Sequence, residues 1–154
     1  MLNKELISPS IPALNLTDTV FQAMELMSEF HVAQLPVVAE DQYLGLVFED
    51  DLMNIDETAE LQTISNQFSR ASVNANTHFL ESIQVSLDYN LTLVPVIEKS
   101  NEFIGVILAK DLLRNLGKMT GAQEPGGLIV LELEQRNFSF AEISKLVETN
   151  DAQI

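Results

Sequence analysis

Three consecutive carboxylates, Glu49, Asp50 and Asp51, form a dense group of chemically capable side chains in this sequence. A cluster of this kind can bind a divalent cation or perform acid–base chemistry. The same residues also open a predicted helix, where acidic side chains favour the positive end of the helix macrodipole. Because the dipole explanation requires no further partner, we predict neither a metal site nor a catalytic role here.

The two histidines, His31 and His78, are the other side chains suited to proton transfer or metal binding. Neither has a second histidine at metal-ligand spacing, and the chain contains no cysteine. The sequence also lacks a recognisable Ser-His-Asp arrangement and a phosphate-cradling glycine loop. We therefore predict a protein that is not an enzyme, with His31 as a polar contact near a helix end and His78 at the surface.

The net charge of the chain limits the classes of partner that it is expected to bind. The formal net charge is −15, from 23 acidic and 8 basic side chains, and no basic residue lies between Glu40 and Glu60. Such a surface repels phosphate backbones, so nucleic acid is not an expected partner. Neither a targeting signal nor an apolar segment of membrane-spanning length is present, so we expect no membrane association and a cytoplasmic location.

The sequence contains two copies of the elements that position these residues. Residues 35–52 read as a buried strand, a polar turn, a second strand and the start of a helix, and residues 94–112 repeat that order. The strands are predicted at 35–38 and 43–48, and again at 94–97 and 103–108. The pairs that repeat, at offsets of 59 or 60, are Pro36 and Pro95, Gly45 and Gly105, and Asp51 and Asp111.

An amphipathic helix is predicted before each hairpin. The apolar positions are Val20, Met24 and Met27 in the first helix, and Phe79, Leu80, Ile83, Val85 and Leu87 in the second. The predicted caps are Thr17 or Asp18 for the first helix and Asn76 or Thr77 for the second. With a brief strand at residues 13–16 and a closing helix at 109–116, each copy reads strand, helix, strand, strand, helix.

This motif order, apolar-Pro-Val-apolar, turn, aromatic-apolar-Gly-apolar-apolar, three residues and Asp-Leu, resembles the CBS domain, usually found as a tandem pair. The resemblance covers about residues 1–118. It implies an α/β (α+β) fold of two β-α-β-β-α repeats, at 1–58 and 59–118. A single repeat cannot cover its own sheet, so we expect the two to pack as a pseudo-twofold pair.

In CBS domains that bind adenosine nucleotides, the cleft forms where the last strand meets the following helix. The resemblance implies that Asp51 and Asp111 are at the position that accepts hydrogen bonds from ribose. It also implies that backbone around the Pro-Val strand, Pro95 and Val96 in the second copy, holds the adenine. Gly45 and Gly105 mark places where other backbone or a ligand comes close.

The family's Thr or Ser is replaced in both copies, by Phe48 in the first and Leu108 in the second. Each copy therefore lacks a hydroxyl, and a hydrogen bond to a charged group contributes about 1.5–3 kcal/mol. The second cleft is the better candidate, because Lys110, Arg114 and Lys118 follow at four-residue steps and could attract a phosphate. The alternative is that these cations form a solvated helix face.

Beyond a linker at 119–127, residues 128–154 read as a strand, a helix and the start of another strand. Ser139 and Glu142 have capping-box spacing, and Phe140, Ile143 and Leu146 form an apolar stripe. This order resembles the first half of an ACT domain. Such a half leaves an open edge, so we expect either a longer polypeptide or completion by another subunit.

Together, these features predict a non-catalytic regulatory module that senses a small ligand through a CBS pair. AMP, ATP and S-adenosylmethionine are the candidate ligands, and no cofactor is required. We expect a homodimer through the CBS helices, whose apolar residues are Phe21, Met24, Met27, Leu80 and Ile83. The alternative is a ligand-free homodimerisation scaffold whose nucleotide sites are degenerate.

Overall fold

A computed structural model describes residues 1–122 and 139–150, together with residues 125, 130 and 132. The chain divides into two compact units, Met1–Ala122 and Gln123–Ile154, and each is considered by itself. The first unit contains the two predicted repeats. Its helices and strands occur in the predicted order, apart from the brief strand expected at residues 13–16, where Leu14 makes an isolated bridge to Val37.

In the first repeat, helix α1 is followed by the strands β1 and β2 and by the single-turn helix α2. The bounds are Val20–Phe30 for α1, Gln34–Ala39 for β1, Gln42–Phe48 for β2 and Glu49–Leu52 for α2. The second repeat adds a short strand before the corresponding elements. Its bounds are Val73–Asn74 for β3, Leu80–Asp88 for α3, Leu93–Ile97 for β4, Phe103–Leu108 for β5 and Ala109–Met119 for α4. Two 3-10 helices, Asn3–Leu6 and Leu61–Gln67, lie ahead of the repeats.

Each repeat builds its sheet from an antiparallel hairpin. Strand β1 pairs with β2, and β4 pairs with β5, with a register shift after Val37 in one hairpin and after Val96 in the other. Strand β3 adds to β4 in parallel, with Val73 opposite Val96. The bridge of Leu14 to Val37 is also parallel and takes the corresponding position in the first repeat. The two sheets thus share one plan.

Each helix before a hairpin begins two residues or more beyond its predicted cap. Thr19 caps α1, because its hydroxyl accepts a hydrogen bond from the backbone N–H of Gln22 and its own backbone N–H donates one to the Gln22 side-chain oxygen. The predicted caps at Thr17 and Asp18 are therefore wrong. Helix α3 starts after Phe79 without a side-chain cap, so the caps predicted at Asn76 or Thr77 are wrong as well.

Each repeat is clasped by the segment that precedes the other repeat. We call residues 2–8 the first lead and residues 60–69 the second lead. The first lead crosses the second repeat, where Ser8 bridges Val106, and the second lead crosses the first repeat, where Ser69 bridges Leu46. The repeat boundary between residues 58 and 59 stays a prediction, since the contacts of each lead are with the other repeat.

The backbone hydrogen bonds of the two leads match one for one. The N–H groups of Asn3 and Lys4 donate to the carbonyls of Thr77 and Ala75, at 3.0 and 3.1 Å. In the second lead the donors are Leu61 and Gln62, the acceptors are Asp18 and Leu16, and both distances are 2.9 Å. Asn3 and Leu61 occupy equivalent places, and both are fully buried.

Two glycines allow the leads to approach the hairpins. Gly45 has φ +141°, and a Cβ there would lie 2.7 Å from the Phe68 Cβ and 2.8 Å from the Ser69 carbonyl oxygen. Gly105 has φ +147°, and its Cβ would lie 2.4 Å from a methyl carbon of Ile7. The predicted approach of other backbone is confirmed at Gly45. At Gly105 the close neighbour is a side chain instead.

A single hydrophobic core extends through both repeats of the first unit. Met27 of α1 is 1% exposed and belongs to this core, so its predicted place on a dimer surface is wrong. Phe21 and Leu80 are about half exposed, at 54% and 48%. The same helices therefore pack inward on one side and leave apolar area in water on the other.

In the second unit, helix α5 spans Phe140–Glu148. Ser139 is its N-cap residue but makes no side-chain capping hydrogen bond, so the predicted capping box is wrong. Phe140 and Leu146 are 70% and 62% exposed. The strands predicted at 128–133 and from residue 151 onward lie outside the described residues.

Candidate functional site

Two clefts lie at equivalent positions in the first unit, each where a last strand meets its following helix. The second cleft, at the junction of β5 and α4, has a volume of about 530 Å³. Its lining residues are Ser10, Ile11, Glu29, Phe30, His31, Val32, Leu91, Thr92, Leu108, Ala109 and Lys110. A volume in this range suits a small organic ligand.

The first cleft lies at the junction of β2 and α2 and is smaller, at about 220 Å³. Its lining residues are Ala33, Gln34, Phe48, Glu49, Asp50, Tyr89, Asn90, Leu91 and Thr92. This volume is below the usual range for sites that enclose a drug-sized molecule. Phe48 occupies the position that Leu108 occupies in the second cleft, and its larger side chain lines the smaller space.

Each cleft takes one wall from each repeat. In the second cleft, the strand–helix junction belongs to the second repeat and the opposite wall is the C-terminal end of α1. In the first cleft, the junction belongs to the first repeat and the opposite wall is the segment just after α3. His31 and Asn90 are equivalent residues at these helix ends, with φ of 54° and 52°. Both helices thus end in left-handed backbone beside a cleft.

The charges in the two clefts differ. Glu29 on one wall of the second cleft is opposed by Lys110 on the other. The charged residues lining the first cleft are Glu49 and Asp50, both acidic. The second cleft thus has charges of both signs within its walls, and the first has only negative charge.

The structure separates the predicted ligand residues. Lys110 lines the second cleft, whereas Asp111 is the next residue along α4 and its carboxylate accepts a hydrogen bond from the guanidinium of Arg114. The Asp111 side chain is 23% exposed and that of Arg114 is 57% exposed. Asp51 is exposed on α2, beside the first cleft. Lys118 lies in the last turn of α4, away from the strand–helix junction.

The remaining predicted residues belong to the sheets. Pro95 and Val96 are buried in β4, and Gly45 and Gly105 lie within β2 and β5 at the crossings of the leads. Their positions therefore serve the packing of the sheets and the leads directly. The part they would play toward a ligand stays a prediction.

A hydrogen-bonded pair at the boundary of the two clefts was not indicated by the sequence. Gln34 is 3% exposed, and its side-chain oxygen accepts hydrogen bonds from the Thr92 hydroxyl at 2.7 Å and from the Thr92 N–H at 2.9 Å. The Thr92 hydroxyl in turn accepts from the N–H of Ala33 at 3.1 Å. Both clefts include Thr92 in their walls. The repeat offset of 59 makes Ala33 and Thr92 equivalent, but it does not indicate a contact between Gln34 and Thr92.

The tips of the hairpins also meet across the pair of repeats. The rings of Tyr43 and Phe103 stack with centroids 6.2 Å apart, and Gln42 bridges Glu102. The Tyr43 hydroxyl donates to the Ala71 carbonyl at 2.8 Å, and burial raises the pKa of this phenol well above its usual range. Tyr43 therefore stays protonated and fixes the contact between the first repeat and the segment that follows the second lead.

No group of three His, Asp or Glu side chains suited to a metal ion occurs in the described part of the chain. Among the described residues, no helix has both the length and the apolar character needed to cross a bilayer.

Comparison with known proteins identifies the repeats. The family model "CBS domain" matches residues 4–57 and 69–118. The inosine-5'-monophosphate dehydrogenase of Methanocaldococcus jannaschii is 22% identical over 147 residues, which cover 94% of this chain and 29% of that protein. The chain thus spans less than a third of the length of this curated relative.

Solved structures share the fold. A CBS domain pair/ACT domain protein from Thermotoga maritima superposes with a TM-score of 0.70 at 18% identity, covering 77% of this chain and 98% of that one. CBSX2 in complex with AMP superposes with a TM-score of 0.61 at 20% identity, covering 77% and 98%. The predicted α/β fold with paired repeats is confirmed, while the ACT-like character of the C-terminal segment is not tested by these matches.

Proposed function

The chain belongs to the CBS domain family, and from this we propose that it is a non-catalytic regulatory module that senses an adenosine-containing ligand. The observation that carries the proposal is the second cleft, a concave space of about 530 Å³ at the strand–helix junction of a CBS repeat. The AMP complex of the structurally similar CBSX2 supports the choice of ligand class. AMP, ATP and S-adenosylmethionine are the candidates, with the cytoplasm as the expected location.

The lining of the second cleft suits a nucleoside. Ile11, Val32, Leu91 and Leu108 offer apolar area to a base, with Phe30 as an aromatic neighbour. The hydroxyls of Ser10 and Thr92 and the ammonium of Lys110 supply polar contacts within the same walls. A mainly apolar pocket with a few polar groups is typical of small-molecule sites.

We propose that Asp111 accepts hydrogen bonds from the ribose hydroxyls, as the family motif implies. Arg114 holds the Asp111 carboxylate at the first turn of α4, one residue beyond Lys110 in the cleft wall. Lys110 then lies on the side where a phosphate would be placed, and Pro95, Val96 and Gly105 support the base side. Asp51 and Gly45 are the corresponding residues of the first repeat, where the smaller acidic cleft makes binding weaker.

A thermal-shift panel on the full chain tests this function. AMP, ATP, S-adenosylmethionine and the free amino acids are added at several concentrations, and the melting temperature is followed. A ligand that binds the folded state alone stabilises it by RT ln(1 + [L]/Kd), so the shift must grow with concentration. Unchanged melting temperatures with all three adenosine compounds at millimolar concentration would refute ligand sensing.

The exposed apolar helix residues favour a second function, self-association as a scaffold. Phe21 and Leu80 are about half exposed on α1 and α3, and Met24 and Ile83 are partly buried beside the core. We propose that these helices bury their outer faces against a second copy. Light scattering that gives the monomer mass at micromolar concentration would contradict the homodimer.

We propose that the C-terminal unit is ACT-like. Its support is helix α5, which has the predicted position and apolar residues, together with the domain organisation named for the Thermotoga maritima protein. Backbone NMR assignment of residues 123–154 in the full chain provides the test. Chemical shifts without strand character on either side of α5 would contradict it.

A further inference from the structure

We infer that the second cleft favours adenosine compounds with at most one phosphate group, and that Glu29 of the first repeat is the residue that weakens the binding of polyphosphates. This inference rests on the proposed function, because it assumes an adenosine ligand in that cleft. It goes further by naming the charge of the ligand and a specificity-determining residue outside the CBS motif. The basis is the distribution of charge over the two walls.

The walls of the second cleft have opposite signs. Lys110 projects from the start of α4, and the N-terminal end of that 11-residue helix adds partial positive charge to the same wall. The opposite wall carries Glu29 in the last turn of α1, which contains no basic side chain. The carbonyl end of α1 adds partial negative charge there. A ligand with one anionic group can therefore place that group against the positive wall.

A longer phosphate chain would meet the acidic wall. A space of about 530 Å³ is about 10 Å across, so additional phosphates attached to a group near Lys110 remain close to Glu29. Two further negative charges at that distance from a carboxylate, in a medium close to water, weaken binding about fourfold. The chain's net charge of −15 acts in the same direction.

The side chains near this wall leave the balance to two residues. Lys110 and Glu29 are the lysine and the carboxylate among the lining residues. Asp111, the next acid along α4, is paired with Arg114. Glu29 and Lys110 are therefore the main side chains whose charges distinguish AMP from ATP.

Glu25 supplies a matched control. It is an exposed acid on the same helix, one turn before Glu29, and it is not among the residues that line the second cleft. Glu25→Gln and Glu29→Gln change the net charge equally and conserve side-chain size. Any difference in ligand binding between the two variants is therefore caused by the position of the carboxylate at the cleft, and not by the overall charge.

Isothermal titration calorimetry of the full chain with AMP and ATP, at pH 8, low salt and excess EDTA, tests the inference. We expect AMP to bind the wild-type protein more tightly than ATP, and the repulsion from Glu29 alone to contribute a factor of about four to that ratio. Glu29→Gln should bring the two affinities together, whereas Glu25→Gln should leave their ratio unchanged. The ratio should also shrink at high salt, where the repulsion is screened.

Tighter binding of ATP than of AMP by the wild-type protein would overturn this inference and leave the proposed function intact. An AMP-to-ATP ratio that Glu29→Gln leaves unchanged, or that Glu25→Gln changes equally, would overturn the assignment to Glu29. Absence of binding by AMP, ATP, adenosine and S-adenosylmethionine together would overturn the proposed function and the inference with it.

Discussion

The two repeats have the same backbone plan and different surfaces. In both, a helix ends in left-handed backbone, an antiparallel hairpin shifts register one step after a buried valine, and a glycine of positive φ lies under a lead. The closing helix, however, has four residues in the first repeat and eleven in the second. The two repeats thus share backbone geometry and buried positions, and they differ in the residues that line their clefts.

The two leads also share a backbone arrangement and differ in the side chains that they bury. At equivalent places, the first lead buries Asn3 and the second lead buries Leu61. The Asn3 side chain donates to the Asn74 carbonyl at 2.8 Å and to Thr77 Oγ1 at 2.9 Å, and it accepts from the Ser82 hydroxyl at 2.7 Å. One backbone arrangement is therefore stabilised by a satisfied polar network in one repeat and by apolar packing in the other.

The largest difference between the repeats is expected from valine at the two lead crossings. Gly45→Val places a side chain against the backbone of the second lead, and Gly105→Val against the movable side chain of Ile7. Both also strain a positive φ. We expect Gly45→Val to lower the free energy of unfolding by more than about 4 kcal/mol and Gly105→Val by about 2–4 kcal/mol, measured by urea denaturation.

The combination of Ile7→Ala with Gly105→Ala serves as the control for that pair. Removing the Ile7 methyl groups should recover part of the loss caused by Gly105→Ala, because it removes the steric contact and leaves the φ strain. Unchanged unfolding curves for Gly105→Val would contradict the close approach.

The next largest losses of stability are expected from shortening the buried side chains of the two leads. Leu61→Ala removes a fully buried side chain from the core and should cost about 2–5 kcal/mol. Asn3→Ala leaves the Ser82 hydroxyl and the Asn74 carbonyl without this partner and should cost about 1–3 kcal/mol. Both are measured by urea denaturation. A cost for Asn3→Ala close to zero would mean that the first lead is not held by its polar network.

Changes at the clefts should separate the repeats by ligand response. Asp111→Ala is expected to abolish the melting shift caused by an adenosine ligand, and Asp51→Ala to leave it intact. Leu108→Thr restores the family's hydroxyl and should strengthen binding about tenfold, the effect of one hydrogen bond to a charged group. Calorimetry on the three variants provides the measurement, and equal losses from both aspartates would show that the clefts are not distinguished.

The smallest effect is expected at the stacked pair of aromatic rings. Tyr43→Phe makes this position like Phe103 and removes the hydrogen bond to the Ala71 carbonyl, at a cost of about 0.5–1.5 kcal/mol near neutral pH. Phe103→Tyr is the matched change in the other repeat and gains no established partner. Equal stabilities of wild type and Tyr43→Phe would contradict a structural role for this hydroxyl.

The same pair predicts a pH dependence. Burial raises the pKa of Tyr43 in the folded state, so its neutral form is favoured by folding. That contribution is complete below the unfolded pKa of about 10 and is lost as the pH rises above it. The wild-type free energy of unfolding should therefore fall more steeply above pH 10 than that of Tyr43→Phe. Parallel curves for the two proteins would contradict it.

The hairpins could be predicted from sequence to within a residue, because proline, glycine and alternating apolar residues fix strand geometry locally. Strand β5 is found at the predicted bounds, and β2 begins one residue earlier than predicted. The cap of α1 was misplaced because Thr17, Asp18 and Thr19 are all good capping residues, and only the hydrogen bonds of Gln22 distinguish them.

The exchanged leads and the outer walls of the clefts could not be predicted in the same way. The leads bind through backbone groups over separations of about 20–100 residues, and such bonds leave no periodic signal in the side chains. Asn3 is a single polar residue without a spacing pattern, so its burial was not foreseeable. Glu29 was missed because the motif points to the strand–helix junction of its own repeat, while the opposite wall belongs to the other repeat.

The exchange of leads sets an order of events during synthesis. Ser8 leaves the ribosome about a hundred residues before its partner Val106, which at about 5–20 residues per second is a delay of about 5–20 s. Over the same interval, the edge at Leu46 is covered as soon as Ser69 has emerged. The first repeat can therefore close while the chain is still growing, whereas the first lead must wait for the second repeat before it finds its place.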